Sequence, residues 1–97
     1  MRLLSTQEGR CLPLAAGKES EWGVKIQDVS THGLSLLADR RFEAGSVLLL
    51  RLPGPDRDGP ACLILRVVRH EARPQRKWLL GCTLAYPLTE EEVQSLL

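Results

Sequence analysis

No stretch of this 97-residue chain approaches the ~18 consecutive apolar residues that a membrane-crossing helix requires. The segment from Met1 to Arg10 also lacks the continuous apolar region of a secretion signal, so a cytoplasmic protein is expected. Aromatic residues are scarce, with two Trp, one Tyr and one Phe. That is too few for the stacking series with which small domains hold single-stranded nucleic acid. Neither sign of charge dominates, 13 Lys and Arg standing against 12 Asp and Glu, so no global field draws the chain to DNA, RNA or anionic lipid. The three cysteines show no Cys-x-x-Cys spacing and no clustered histidines accompany them, which supports neither a disulfide framework nor a metal site. Cys11, Cys62 and Cys82 are read as small core or near-core residues. The length allows one hydrophobic core and excludes a two-domain enzyme with a cleft between domains.

What the sequence does contain is alternation with a period of two, in short segments separated by Gly, Pro, Asp and Ser. This is how an all-β domain reads. Trp22, Val24 and Ile26 alternate with Gly23, Lys25 and Gln27. After the break at Thr31-His32-Gly33, Leu34, Leu36 and Ala38 resume the pattern with Ser35 on the other face. The turn in Arg40 to Gly45 leads into Val47 to Leu52, apolar on both faces and so placed centrally. Residues 53–60, with their prolines and glycines, predict a hairpin loop. Ala61 to Ala72 reads as a long strand with Leu63, Leu65 and Val67 inward, bending near its far end, where Arg66, Arg69 and His70 emerge into water. Beyond the polar loop Arg73 to Lys77, the residues Trp78, Leu80, Cys82 and Leu84 form the clearest inward face. Arg10 to Ala16 is a weaker strand, which Pro13 confines to an edge or a strand start. Residues 1–9 are expected to be a flexible lead to a single domain spanning residues 1–97. Trp22 and Trp78 are read as core or core-rim residues.

The period changes at the end of the chain. Thr89-Glu90-Glu91-Glu92 is a Thr-x-x-Glu capping box, and Val93, Leu96 and Leu97 follow at helical spacing. Leu88 and Val93 suit a hydrophobic staple. A short C-terminal helix, acidic in its first turn, should close one side of the fold.

The candidate chemistry is concentrated at Asp28-Val29-Ser30-Thr31-His32-Gly33. By pattern alone these are ordinary corner residues: Asp and Ser cap backbone donors, and Gly33 tolerates positive φ. A hydrolase built from Asp28, Ser30 and His32 is disfavoured, because three residues so close along one corner do not line up as nucleophile, base and orienter. The basic stretch Arg66, Arg69, His70, Arg73, Arg76 and Lys77 reads as a solvated hairpin tip rather than a nucleic-acid patch.

The Asp-x-Ser-x-x-Gly spacing of Asp28, Ser30 and Gly33, continued by Gly33-Leu34-Ser35-Leu36-Leu37, resembles the motif of the PilZ domain family. Arg41-Phe42-Glu43-Ala44-Gly45-Ser46, the strand Trp78-Leu79-Leu80-Gly81-Cys82 and the helix start Leu88-Thr89-Glu90-Glu91-Glu92 extend the resemblance over residues 10–97. The resemblance implies an all-β, six-stranded antiparallel barrel with a short C-terminal helix. It also implies a non-catalytic signalling module of bacteria whose ligand is the second messenger cyclic di-GMP, with no cofactor. Carried over by position, Asp28 would accept the N–H donors of guanine, Ser30 would be a polar partner and Gly33 would permit close approach. In the family an upstream Arg-x-x-x-Arg motif folds over the phosphates and guanine edges, where guanidinium forks pair well. The chain departs from that pattern, since the arginines before Asp28 are Arg2 and Arg10, eight positions apart. Arg2 stands about where the second arginine of the motif would fall. A domain of the same fold that ignores nucleotide and binds a protein effector, through a sheet edge or its helix, is the alternative.

Overall fold

A computed structural model describes residues 3–14, 21–53 and 62–97. It contains seven strands: β1 (Leu3–Leu4), β2 (Glu8–Pro13), β3 (Trp22–Val29), β4 (Gly33–Ala38), β5 (Val47–Arg51), β6 (Cys62–Arg73) and β7 (Lys77–Leu84). Among the described residues there is one α-helix, α1 (Glu90–Ser95), after the strands, and a single 3-10 turn at Pro74–Arg76 between β6 and β7. Strands β2, β3, β4, β7, β6 and β5 follow one another round a wall, all antiparallel, and β5 pairs back to β2. The result is the closed six-stranded barrel that the motif resemblance implied. β1 prolongs the edge occupied by β2, pairing Leu3 with Val29 and Leu4 with Asp28. The supposed flexible lead is thus laid against β3 from Leu3 to Gly9, with Ser5 N–H donating to Gln27 O at 3.1 Å and Ile26 N–H to Gln7 O at 2.8 Å. Residues 15–16, at the end of the first expected strand, and the expected hairpin loop at residues 54–60 lie outside the described residues.

Alternation sorts the side chains as the sequence suggested. Val24, Ile26, Leu34, Leu36, Leu48, Leu50, Leu65, Val67, Leu80 and Cys82 are all buried inside the wall. β6 pairs with β5 from Cys62 to Arg66 and with β7 from Leu65 to Arg73, and the Leu63, Leu65 and Val67 series of its first half is buried. Cys62 corrects the expectation for the cysteines: it is one position out of phase with that series and faces solvent, whereas Cys11 and Cys82 are buried. Gly33 also differs from its expected role. It is the first residue of β4, paired with Thr83, and among the described residues the only glycine with positive φ is Gly45, at 96°. Gly45 occupies the third position of the turn closed by Ser46 N–H to Glu43 O at 3.0 Å, where left-handed backbone is required.

The two ends of the barrel are closed by different chemistry. At one end, α1 presents Val93 and Leu96, both buried, together with Leu88. Its start is the expected capping box: Glu92 N–H donates to Thr89 Oγ1 at 3.1 Å, and Thr89 N–H donates to Glu92 Oε1 at 2.9 Å. Leu97, expected on the apolar side, is 47% exposed, because the helix ends before it. Ser5, buried, ties this end to the N-terminal strand by donating to Leu96 O and accepting from Gln7 N–H. At the other end the Arg40 guanidinium lies 5.0 Å from the Trp22 ring centre and 4.2 Å from that of Phe42. Arg41 sits 5.8 Å from Trp78, whose ring meets His70 edge-on at 5.7 Å. Both tryptophans are therefore rim residues. Cation–π contacts of this kind add about 0.5 to 2 kcal/mol each, depending on exposure. Among the described residues no helix is long and apolar enough to cross a membrane.

Two measurements follow from these closures. Replacing Thr89 with Ala removes the hydroxyl that accepts from Glu92 N–H and should lower stability by about 1 kcal/mol in urea denaturation; an unchanged midpoint would mean that this cap does not contribute to closure. Burial pushes the Cys11 thiol up to about 11, offset in part by Arg40 and reinforced by Glu21. At pH 8, Cys62 should therefore react with iodoacetamide rapidly, and Cys11 only as fast as the protein opens. The unfolded chain releases the Cys11 proton from about pH 9.0 while the folded chain holds it to about 11. Its contribution to stability is thus intact below pH 9.0 and is lost as the pH rises through that window.

Candidate functional site

Paired residues in an antiparallel sheet share a face, so the register alone defines rows that run across the outer wall of the barrel. One row is Asp28 on β3, Ser35 on β4, Gly81 on β7 and Arg69 on β6. The adjoining inward row is Val29, Leu34, Cys82 and Val67, each buried. The next outward row continues the corner: Ser30, whose N–H donates to Gly33 O at 2.8 Å, then Gly33, Thr83 and Arg66. On the other side lies Lys25, Leu37, Leu79 and Glu71.

Asp28 and Arg69 reach this wall by the same device. Val24 and Ile26 point inward, so strict alternation would turn Asp28 into the core. A register shift between Ile26 and Asp28 inserts Gln27 as an extra residue and turns the carboxylate outward. On β6, Leu63, Leu65 and Val67 point inward, and the same logic would bury Arg69. A second shift between Val67 and Arg69 inserts Val68 and turns the guanidinium outward. Bulges re-aim side chains in this way, and they are frequent beside functional sites. The two long side chains stand three strand spacings apart, about 14 Å along the wall. Ser35 and Gly81 are the low floor between them.

The corner itself is held firmly. Leu84 N–H donates to His32 O at 2.9 Å and Leu88 N–H to Thr31 O at 2.7 Å. Ser30 Oγ donates to Gly33 O at 3.2 Å; its proton is committed there, and its oxygen retains acceptor capacity. His32 is exposed, and its Nδ1 lies 3.0 Å from Thr31 Oγ1. Among the described residues no hydrogen bond joins Ser30 to His32, so the corner does not present a nucleophile with its base. A cleft of about 380 Å³ opens here, lined by Ser30, His32, Gly33, Val68, Arg69, Gly81, Cys82 and Thr83.

The structure brings Asp28, Ser30 and Gly33 together, and it places Arg10 elsewhere. Arg10 pairs with Gly23 on β3, five residues from Asp28, or roughly 16 Å along the strand. It lines a larger groove of about 750 Å³ with Glu21, Lys25, Asp39, Arg51 and Lys77. Charges in that groove largely satisfy one another: Glu21 lies 4.0 Å from Arg10 and 3.0 Å from Arg51, and Lys77 pairs with Asp39. Its size therefore says less about ligand than Arg66 and Arg69 at the corner, which make no ion pair among the described residues. Arg2 lies outside the described residues. The basic stretch does not form one patch either, since His70 turns inward against Trp78 and Arg73 lies 3.6 Å from Glu71.

Sequence reasoning missed Arg69 and Gly81 as parts of this wall. The signal that could have found them is parity: an arginine in phase with three inward aliphatic residues must either be buried or follow a bulge. Comparison with curated proteins gave no match. The sequence profile of the PilZ domain matches residues 9–97, nearly the whole chain, and the barrel, its helix and the Asp28 to Gly33 corner agree with that match. The chain belongs to the PilZ domain family.

Proposed function

We propose that this PilZ domain is a cytoplasmic signalling module that binds cyclic di-GMP on the outer wall around Asp28, Ser30 and Gly33, and that it performs no covalent chemistry. The observation that carries the reading is the bulge at Gln27, which turns a half-buried carboxylate out of the core and sets it above a floor of small residues. A carboxylate offers acceptors to the N–H donors of a guanine. Ser30 adds an acceptor oxygen, while Gly33 puts no side chain in the way. Arg2 remains part of the proposal as the upstream arginine that the motif resemblance assigns. Arg10 has no part in the proposed site.

The alternative, a domain that binds only a protein effector, finds less support. Barrel closure removes most of the free sheet edge on which an added strand would pair. The exposed part of α1 carries three acidic residues in its first turn and no apolar stripe.

Calorimetric titration of the full chain with cyclic di-GMP tests the reading. Saturable binding is expected, and Asp28→Ala should weaken it about 10- to 100-fold, as the loss of a charge-assisted contact worth ~1.5 to 3 kcal/mol predicts. The melting temperature should change little. An Asp28→Ala variant that binds as well as the parent but is less stable by about 1 kcal/mol would reduce this residue to a backbone cap and defeat the reading.

A further inference from the structure

The proposed site has an acceptor flank at Asp28 and Ser30. The opposite flank of the wall holds a cation of its own. Arg69 ends the row Asp28, Ser35, Gly81, Arg69, and among the described residues neither it nor Arg66 makes an ion pair. Its stem lies flat over Gly81: a Cβ added at Gly81 would stand 2.7 Å from Arg69 Nε, 2.8 Å from Cγ and 3.2 Å from Cδ. No side chain larger than hydrogen at position 81 is compatible with that path. The bulge at Val68 aims the arginine outward, and the missing side chain at Gly81 lets it turn along the wall toward the cleft it lines with Ser30 and His32. Arg73 and Arg51, in contrast, are each within reach of a carboxylate.

We propose that Arg69 is the cationic contact for a phosphate group of the nucleotide bound at Asp28, and that Gly81 positions it. The proposal rests on the cyclic di-GMP reading above. A guanidinium fork matches phosphate oxygens in geometry as well as charge. Its stem is already packed on the sheet, so binding orders fewer bonds than an arginine on a loose terminus would need.

The test uses the full chain and four variants: Asp28→Ala, Arg69→Met, Arg69→Lys and Gly81→Ala. Cyclic di-GMP is titrated into each at low and high salt, and melting temperatures are recorded in parallel. Arg69→Met should weaken binding at least tenfold and flatten its dependence on salt, because a charge contact to phosphate is the one being removed. Arg69→Lys should recover part of the loss. Gly81→Ala should also weaken binding with the melting temperature nearly held, since the atoms in its way belong to a flexible side chain that can move aside. If Asp28→Ala loses the nucleotide while Arg69→Met and Gly81→Ala keep parental affinity, the arginine contact is refuted and the wider reading survives. A loss in Arg69→Met that is equal at every salt concentration would also refute it, pointing to packing. Failure of the parent chain to bind cyclic di-GMP overturns both.

Discussion

Closing six strands into a barrel gives every side chain two destinations, the packed interior or the outer wall, and parity along each strand decides between them. A closed wall cannot let one strand slip without disturbing both neighbours, so an extra residue is the economical way to change parity midway. Here it happens twice, at Gln27 and at Val68, on strands separated by β4 and β7. Without those insertions a carboxylate and a guanidinium would be directed into a core made of leucine, valine and isoleucine. Burying either unpaired would cost several kcal/mol. With them, both stand on one outward row, and the aliphatic residues before each bulge keep their places inside.

Much of the fold was legible in the sequence because it depends on local signals. The alternation at Trp78, Leu80 and Cys82 needed only the period, and the helix start needed only Thr89 and Glu92 at the right spacing. Closure into six strands was legible through the family resemblance and not through the period. The bulges are different in kind. Whether Gln27 opposes a residue of β4 or is left over depends on the register of a neighbouring strand, and no reading of β3 alone contains it. The same limit explains the misassigned glycine: Gly33 lies in regular strand, whereas the left-handed position fell to Gly45, in a turn set by the geometry between β4 and β5. Cys62 is a different case: its exposure follows from the phase of β6, which the alternation of Leu63, Leu65 and Val67 already contains. For the candidate site, Asp28, Ser30 and Gly33 were visible as a motif and the parity of Arg69 was a signal left unread, while the place of Gly81 beneath it became visible only when the rows of the wall were known.

The two ends of the barrel also differ in how their charges are disposed. Around Arg10 and Arg51 the carboxylates of Glu21 and Asp39 are within ion-pairing reach of cations, and around Trp22 and Phe42 the Arg40 guanidinium is covered by rings. Those cations have partners within the chain. Arg66 and Arg69 have none among the described residues, although both sit beside an oxygen-rich corner. The free edge of β6 past Val67 is populated by Arg69, Glu71 and Arg73, and edge charges of this kind discourage strand addition by another chain. Edge protection alone, however, does not account for Arg69 lying along the wall over a glycine, for a protective charge works best extended into water.

On the proposed reading, the placement of that arginine bears on how a cation fixed on a strand and one carried on a chain terminus differ as contacts for an anion. A cation on a chain terminus must be ordered when ligand arrives, at about 1 to 2 kcal/mol of backbone entropy for each residue fixed. A cation whose backbone belongs to a barrel strand has already met that cost in folding, and only its last side-chain bonds remain to be fixed. Two arginines on a mobile arm and one on a rigid wall can therefore yield comparable net affinity, even though the contacts formed differ in number. What the wall gives up is reach, because a fixed arginine meets only a phosphate that the guanine pocket delivers to it. On the proposed reading Asp28 and Arg69 would act as a pair of fixed points, about 14 Å apart along the wall, and the spacing between the two bulges would be the dimension that selects the ligand.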